Sequence, residues 1–288
     1  MVAKIDQTFR LEDGREVGFS EYGDLHGKPL FFFHGMPGSR IQASMIEGIA
    51  AQMGAHLVAP DRPGAGLSDF MPGRKILDYP KDILALADRL GLESFGVMGA
   101  SGGGPYVSAC AYQLPERLTA AGIIAGVGPM SEPGATEGMM KGNVRLFSIA
   151  RHFPWLLKLF LRLQFRGDLE KKLPKLLKNL PEPDQKILAE RKDLVAIFLS
   201  DIDEALKQGT DGVVQEILLT IQPWGFSLAD LRSKVYLWQG DQDRNVPPAM
   251  GHYQARMIPD CEAEFYPQDG HLSIFANHME EILEKMLA

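Results

Sequence analysis

The chain has 288 residues, 45% hydrophobic and 23% charged, which is enough to bury a sizeable core and ordinary for a globular protein. Its net charge of −7 argues against nucleic acid as a partner, because phosphates call for a basic face. No apolar run approaches the roughly 20 residues that span a bilayer, residues 1–6 carry no apolar signal core, and the two cysteines, Cys110 and Cys261, make a disulfide scaffold improbable. A cytoplasmic protein without an integral membrane segment is expected.

Residues 5–11 and 16–22 flank the turn dipeptide Asp13-Gly14 and should form an opening antiparallel hairpin. Strand-like and helix-like stretches then alternate. Residues 30–33, 55–59, 95–98 and 119–125 read as strands, and 41–53, 77–90 and 106–114 as helices. This rhythm predicts an α/β fold, a mostly parallel sheet with helices on both faces. It stops at Gly128-Pro129, and the chain then reads as helix until Val235, where strands at 235–240 and 263–266 resume.

Two features of the interruption stand out. Between Lys141 and Lys178 basic residues are opposed only by Asp168 and Glu170, which suggests a solvated helical surface. Within that stretch, residues 155–165 are so densely apolar that they must bury against something or touch lipid. Burial is the expectation, with an anionic partner or a lipid interface as the alternative for the basic surface.

The strongest chemical signal is Gly99-Ala100-Ser101-Gly102-Gly103, set between a strand and a helix. A serine hydroxyl becomes a useful nucleophile when a sharp turn exposes it beside a base and beside donors for a developing oxyanion. Side chains at Gly99 or Gly103 would collide with backbone there. A second glycine-rich turn, His34-Gly35-Met36-Pro37-Gly38, follows the strand at 30–33, so the amides of Met36 and Gly102 are the expected oxyanion donors. The base expected is His271, on the loop after the last strand, while His34 should order its own loop. Two aspartates compete to orient His271. Asp243 is favoured, with Asp241 expected to hydrogen-bond the turn. Asp61-Arg62 and the glycines after them read as structural, and the seven scattered histidines offer no metal site and suggest no cofactor.

With these motifs in this order, the chain resembles the α/β-hydrolase family, whose nucleophile, acid and histidine would fall here on Ser101, Asp243 and His271. The resemblance implies an eight-stranded sheet and a helical cap inserted after the sixth strand. The expected division is residues 1–130 and 226–288 for the core and 131–225 for the cap. Some relatives place the acid after the preceding strand, which here would be Glu132. His34-Gly35-x-Pro37-Gly38 and Asp61-Arg62-Pro63-Gly64-x-Gly66-x-Ser68 are most similar to small serine hydrolases, including esterases and proline-iminopeptidase-like enzymes. Peptidases of that group carry glycine where this chain has Met36 and tryptophan where it has Gly102, which sets aminopeptidase activity back. Serine at the elbow, rather than aspartate, also disfavours dehalogenase and epoxide hydrolase chemistry. The expected function is cleavage of a small, mainly apolar carboxylic ester by a monomer or homodimer acting on a small-molecule substrate. The alternatives are an aminopeptidase, a carbon–carbon bond hydrolase with the same triad, and a non-catalytic receptor for a small molecule.

Overall fold

The computed structural model describes residues 3–167, 171 and 179–288. The expectations attached to Asp168, Glu170, Lys172, Lys175 and Lys178 lie outside these residues.

An eight-stranded sheet organises the chain. Its strands are β1 (Lys4–Arg10), β2 (Glu16–Gly23), β3 (Lys28–Phe33), β4 (Ala55–Pro60), β5 (Phe95–Ala100), β6 (Leu118–Ile124), β7 (Val235–Gly240) and β8 (Cys261–Tyr266), in the spatial order β1-β2-β4-β3-β5-β6-β7-β8. The β1-β2 hairpin is antiparallel, β2 pairs antiparallel with β4, and every later pairing is parallel. Parallel strands require crossovers that cover the sheet, so both faces of the central strands are buried and their sequences are apolar without alternation. Phe31 and Phe33 point into one core layer with Val97, Tyr106 and Ile83, whereas Leu30 and Phe32 point into the other with Met98, Ile274 and Ile282.

Helices α1 (Glu47–Gln52), α2 (Tyr79–Leu90) and α3 (Gly104–Gln113) fill the early crossovers, and a fifteen-residue helix, Ser273–Leu287, closes the chain. Cys110, buried in α3, and Cys261 are both free thiols. Between β6 and β7 the described residues contain helices and no strand: α4 (Lys141–His152), α5 (Pro154–Gln164), then Glu182–Glu190, Lys192–Leu206 and Asp211–Ile221. One expectation fails in this stretch. In α5 only Leu157 and Leu161 are buried, and Trp155, Leu159, Phe160 and Leu163 are exposed. A helix with apolar residues around its whole circumference can turn just one side to the core. Among the described residues no helix is long and apolar enough to cross a membrane.

Register decides where the chemistry collects. Phe33 lies opposite Gly99 and Gly240 opposite Tyr266, so the loops after β3 and β5 leave the sheet side by side, as do those after β7 and β8. All four emerge at the carboxyl edge of a parallel sheet, where open α/β folds place ligands.

Candidate active site

β5 runs directly into a tight turn at Ser101, whose φ of +53° is left-handed and uncommon for a residue bearing a side chain. The turn closes because its flanks are glycine. A Cβ on Gly103 would sit 2.3 Å from the Phe33 carbonyl oxygen, and one on Gly99 would sit 2.9 Å from the Gly103 carbonyl. Residues Ser101–Gly103 form a short 3-10 turn that leads into α3, so the Gly102 amide lies at the positive end of a helix. A Cβ on Gly102 would be 3.3 Å from the Met36 nitrogen, and one on Gly35 would be 3.6 Å from the Ser101 Cβ. The two glycine-rich turns therefore pack against each other.

At the next pair of loops, His271 Nδ1 lies 2.7 Å from Asp243 Oδ2. The other oxygen of Asp243 accepts the amides of Asn245 (2.8 Å) and Val246 (2.9 Å), and Gln239 Nε2 donates to Oδ2 at 3.3 Å. Asp243 thus both holds its own turn and faces the imidazole. The turn-bonding role expected of Asp241, which is exposed, belongs to Asp243 instead. Glu132, the other candidate acid, faces Tyr253. With Nδ1 donating to a carboxylate, Nε2 is the ring nitrogen left to accept a proton. Burial pulls the His271 pKa down, but the charge and hydrogen bond of Asp243 and the charge of Asp184 outweigh it, so the pKa is raised above the ordinary histidine value.

The structure joins His271 to Asp243 and sets Ser101 beside Met36 and Gly102. It does not join Ser101 to His271, and among the described residues the Ser101 hydroxyl makes no side-chain hydrogen bond.

His34 orders its loop as expected. Its Nδ1 is 2.8 Å from the Gly35 carbonyl, and its Nε2 accepts the Arg62 amide at 3.2 Å. Burial, reinforced by the Arg62 charge, drives its pKa well below the ordinary value and keeps it neutral. Arg62 is structural too, donating to the carbonyls of His34 (2.5 Å) and Gly35 (2.7 Å). No group of three or more His, Cys, Asp or Glu side chains among the described residues is placed to hold a metal ion.

Three residues supporting these loops carry no motif that marks them in the sequence, and all sit on helices between β6 and β7. Asp184 accepts the amides of His271 (3.0 Å), Leu272 (2.9 Å) and Ser273 (2.9 Å). Asp201 accepts both the amide and the hydroxyl of Ser39 at 2.7 Å, next to the Met36 turn. Glu216 binds Arg62 (2.7 Å), the Tyr106 hydroxyl (2.8 Å) and Arg74. A faint signal exists for two of them: Asp201 falls four residues before the buried Ala205, and Glu216 three after the buried Val213, so both carboxylates lie on an apolar helix face.

Comparison with known proteins bears on the fold. A family model described as the alpha/beta hydrolase fold matches residues 28–277. A non-heme chloroperoxidase of Streptomyces lividans is 30% identical over 125 residues, which span 43% of this chain and 45% of that protein, under half the length of the relative. Bromoperoxidase from Bacillus anthracis superposes with a TM-score of 0.74 at 19% identity, covering 98% of this chain and 99% of the other. The enol-lactonase from Burkholderia xenovorans superposes with a TM-score of 0.71 at 16% identity over 98% and 99% of the two chains. At these identities the superpositions speak for the fold alone, whereas the family model spans most of the sequence. The chain belongs to the alpha/beta hydrolase fold family.

Proposed function

We propose that the protein is a serine hydrolase that cleaves a small, mainly apolar carboxylic ester through an acyl-enzyme. The observation that carries this reading is the 2.7 Å contact between His271 and Asp243 on the loops neighbouring a serine held at a left-handed turn. In the mechanism proposed, His271 Nε2 takes the proton of Ser101 as its oxygen attacks the ester carbonyl, and Asp243 fixes the tautomer and stabilises the imidazolium. The Met36 and Gly102 amides receive the oxyanion, an interaction worth about 3 kcal/mol for each donor. His271 then protonates the leaving alcohol, and water repeats the sequence on the acyl-enzyme. The Ser101–His271 hydrogen bond closes in the substrate complex, since such bonds tighten from looser unliganded geometry.

An apolar substrate is favoured by what lies over the oxyanion turn. Met36 packs against a cluster formed by Ala150, Leu157, Leu161, Val213 and Ile217, all from helices in the expected cap. Residues 131–225 are accordingly proposed as a lid on a core formed by 1–130 and 226–288. Enol-lactonase among the similar folds is consistent with ester chemistry, and the chloroperoxidase relative supplies a competing activity to assay.

Labelling with a fluorophosphonate, followed by a chain-length series of nitrophenyl esters, tests the reading. Ser101→Ala should lose labelling and turnover while keeping its melting temperature within a few degrees. Undiminished ester hydrolysis by Ser101→Ala would remove the nucleophile from the proposal. Preference for prolyl amides or for dienoate-type diketones would transfer the site to the aminopeptidase or carbon–carbon hydrolase alternative, and peroxide-dependent halogenation without esterase activity would transfer it to the chloroperoxidase one. Ligand-induced thermal stabilisation without multiple turnovers would make the protein a receptor.

A further inference from the structure

Of the seven large hydrophobic residues exposed among the described ones, five fall between Phe153 and Leu163. They belong to α5 and the residue before it. Leu157 and Leu161 turn inward to the cluster that contacts Met36. At about 100° per residue, Trp155, Leu159 and Leu163 form a stripe on the opposite side of the same helix, and they are 74%, 52% and 60% exposed. Lys158 and Arg162 run along one border of the stripe. Lys158 also pairs with Asp211 at 2.5 Å. From residue 141 to 167 the chain carries six cations, Lys141, Arg145, Arg151, Lys158, Arg162 and Arg166, and no carboxylate, within a protein whose net charge is −7.

We propose that this face of α5 docks onto the surface of an anionic lipid bilayer. An apolar stripe of tryptophan and leucine, bordered by lysine and arginine, is the pattern that settles at the boundary between headgroups and acyl chains. Attraction to acidic lipids then adds to the burial of the stripe. Eleven residues make a helix about 16 Å long, which can lie in the interface and cannot span it. A second copy of this chain is the poorer occupant, because a twofold contact would bring the same cations together from both sides. The docked face is one helix thickness, about 10 Å, from the cluster that packs on Met36.

The test uses the full chain with vesicles of phosphatidylcholine alone and of phosphatidylcholine mixed with phosphatidylglycerol. Trp155 is a built-in reporter, since the other two tryptophans, Trp224 and Trp238, are 6% and 1% exposed. With the mixed vesicles the protein should co-sediment, its emission should shift to the blue, and acrylamide quenching should fall, all reversed by high salt. Leu159→Glu and Leu163→Glu, at exposed positions, should keep the melting temperature and lower vesicle affinity about tenfold or more, as should Arg162→Glu. Indifference to the mixed vesicles, or equal binding to phosphatidylcholine alone, overturns the proposal. So does a concentration-dependent dimer that Leu159→Glu dissociates in the absence of vesicle binding, because the face would then belong to a second copy. None of these readouts depends on catalysis, so the docking surface and the hydrolase reading stand or fall separately.

Discussion

The carboxylate of Asp184 lies against the backbone of His271, accepting its amide at 3.0 Å and the next two amides at 2.9 Å each. Asp184 is fully buried, and the approach is so close that a Cβ on Gly270 would sit 2.6 Å from its Oδ1. It caps the open amides of the C-terminal helix from a helix 87 residues earlier in the chain, in the expected lid. Asp184→Ala would strand three amides, that of Ser273 buried and those of His271 and Leu272 half-buried, and a buried unpaired amide costs about 1–3 kcal/mol. The expected result is a melting temperature lower by many degrees and a kcat lowered more than KM is raised. Asp184→Asn keeps the shape but exchanges an acceptor for a donor facing amides, and should lie between Ala and wild type. A wild-type melting curve and kcat in both variants would show that the contact carries nothing.

Because Asp243 and Asp184 raise the His271 pKa, the proposed base should be protonated, and activity lost, below a point that lies above the ordinary histidine value of about 6.5. The acid limb of kcat/KM should therefore have its midpoint above that value. Asp243→Asn removes the largest raising influence, so the midpoint should move to lower pH while kcat drops by orders of magnitude. Asp241→Asn should change neither appreciably. A rate that stays flat from pH 5 to 8 in the wild type would contradict the role of His271.

Glu216 is the buried carboxylate shared by Arg62 and Arg74, and Arg62 in turn clamps the His34 and Gly35 carbonyls. Glu216→Gln leaves two buried guanidinium groups without their counter-charge, a loss of about 3–5 kcal/mol. Chemical denaturation should register that loss at neutral pH. A midpoint unchanged from wild type would mean that the arginines find other partners.

Asp201 holds Ser39 beside the Met36 turn, and burial pushes its pKa up to about 7. A folded-state pKa above the unfolded value of about 3.9 favours the fold when the group is protonated. That advantage is complete below the unfolded value and is lost as pH rises through about 7. The melting temperature of the wild type relative to Asp201→Asn should therefore fall between pH 4 and pH 8. A difference independent of pH would show that Asp201 keeps one protonation state throughout.

The parts of this molecule that are short-range in sequence were readable from it. Asp13-Gly14 marks the β1-β2 hairpin, the apolar runs mark the parallel strands, and the glycines around Ser101 announce a turn that tolerates no side chains, because backbone sterics act between neighbours. Asp243 and His271 were legible through position alone, each on a loop leaving a strand at the same edge of the sheet.

The sequence by itself thus determined the sheet, the elbow and the pairing of histidine with aspartate. Tertiary structure alone decided which carboxylates brace them and which apolar side chains face out. Asp201 and Glu216 meet Ser39 and Arg62 across 162 and 154 residues of chain, and nothing local separates such a carboxylate from one bathed in solvent. Likewise α5 is apolar on both sides, and its periodicity could not say that Leu157 would turn inward while Trp155 stayed out. That choice depends on the shape of the surface the helix packs against, and the surface exists only once the rest of the chain has folded.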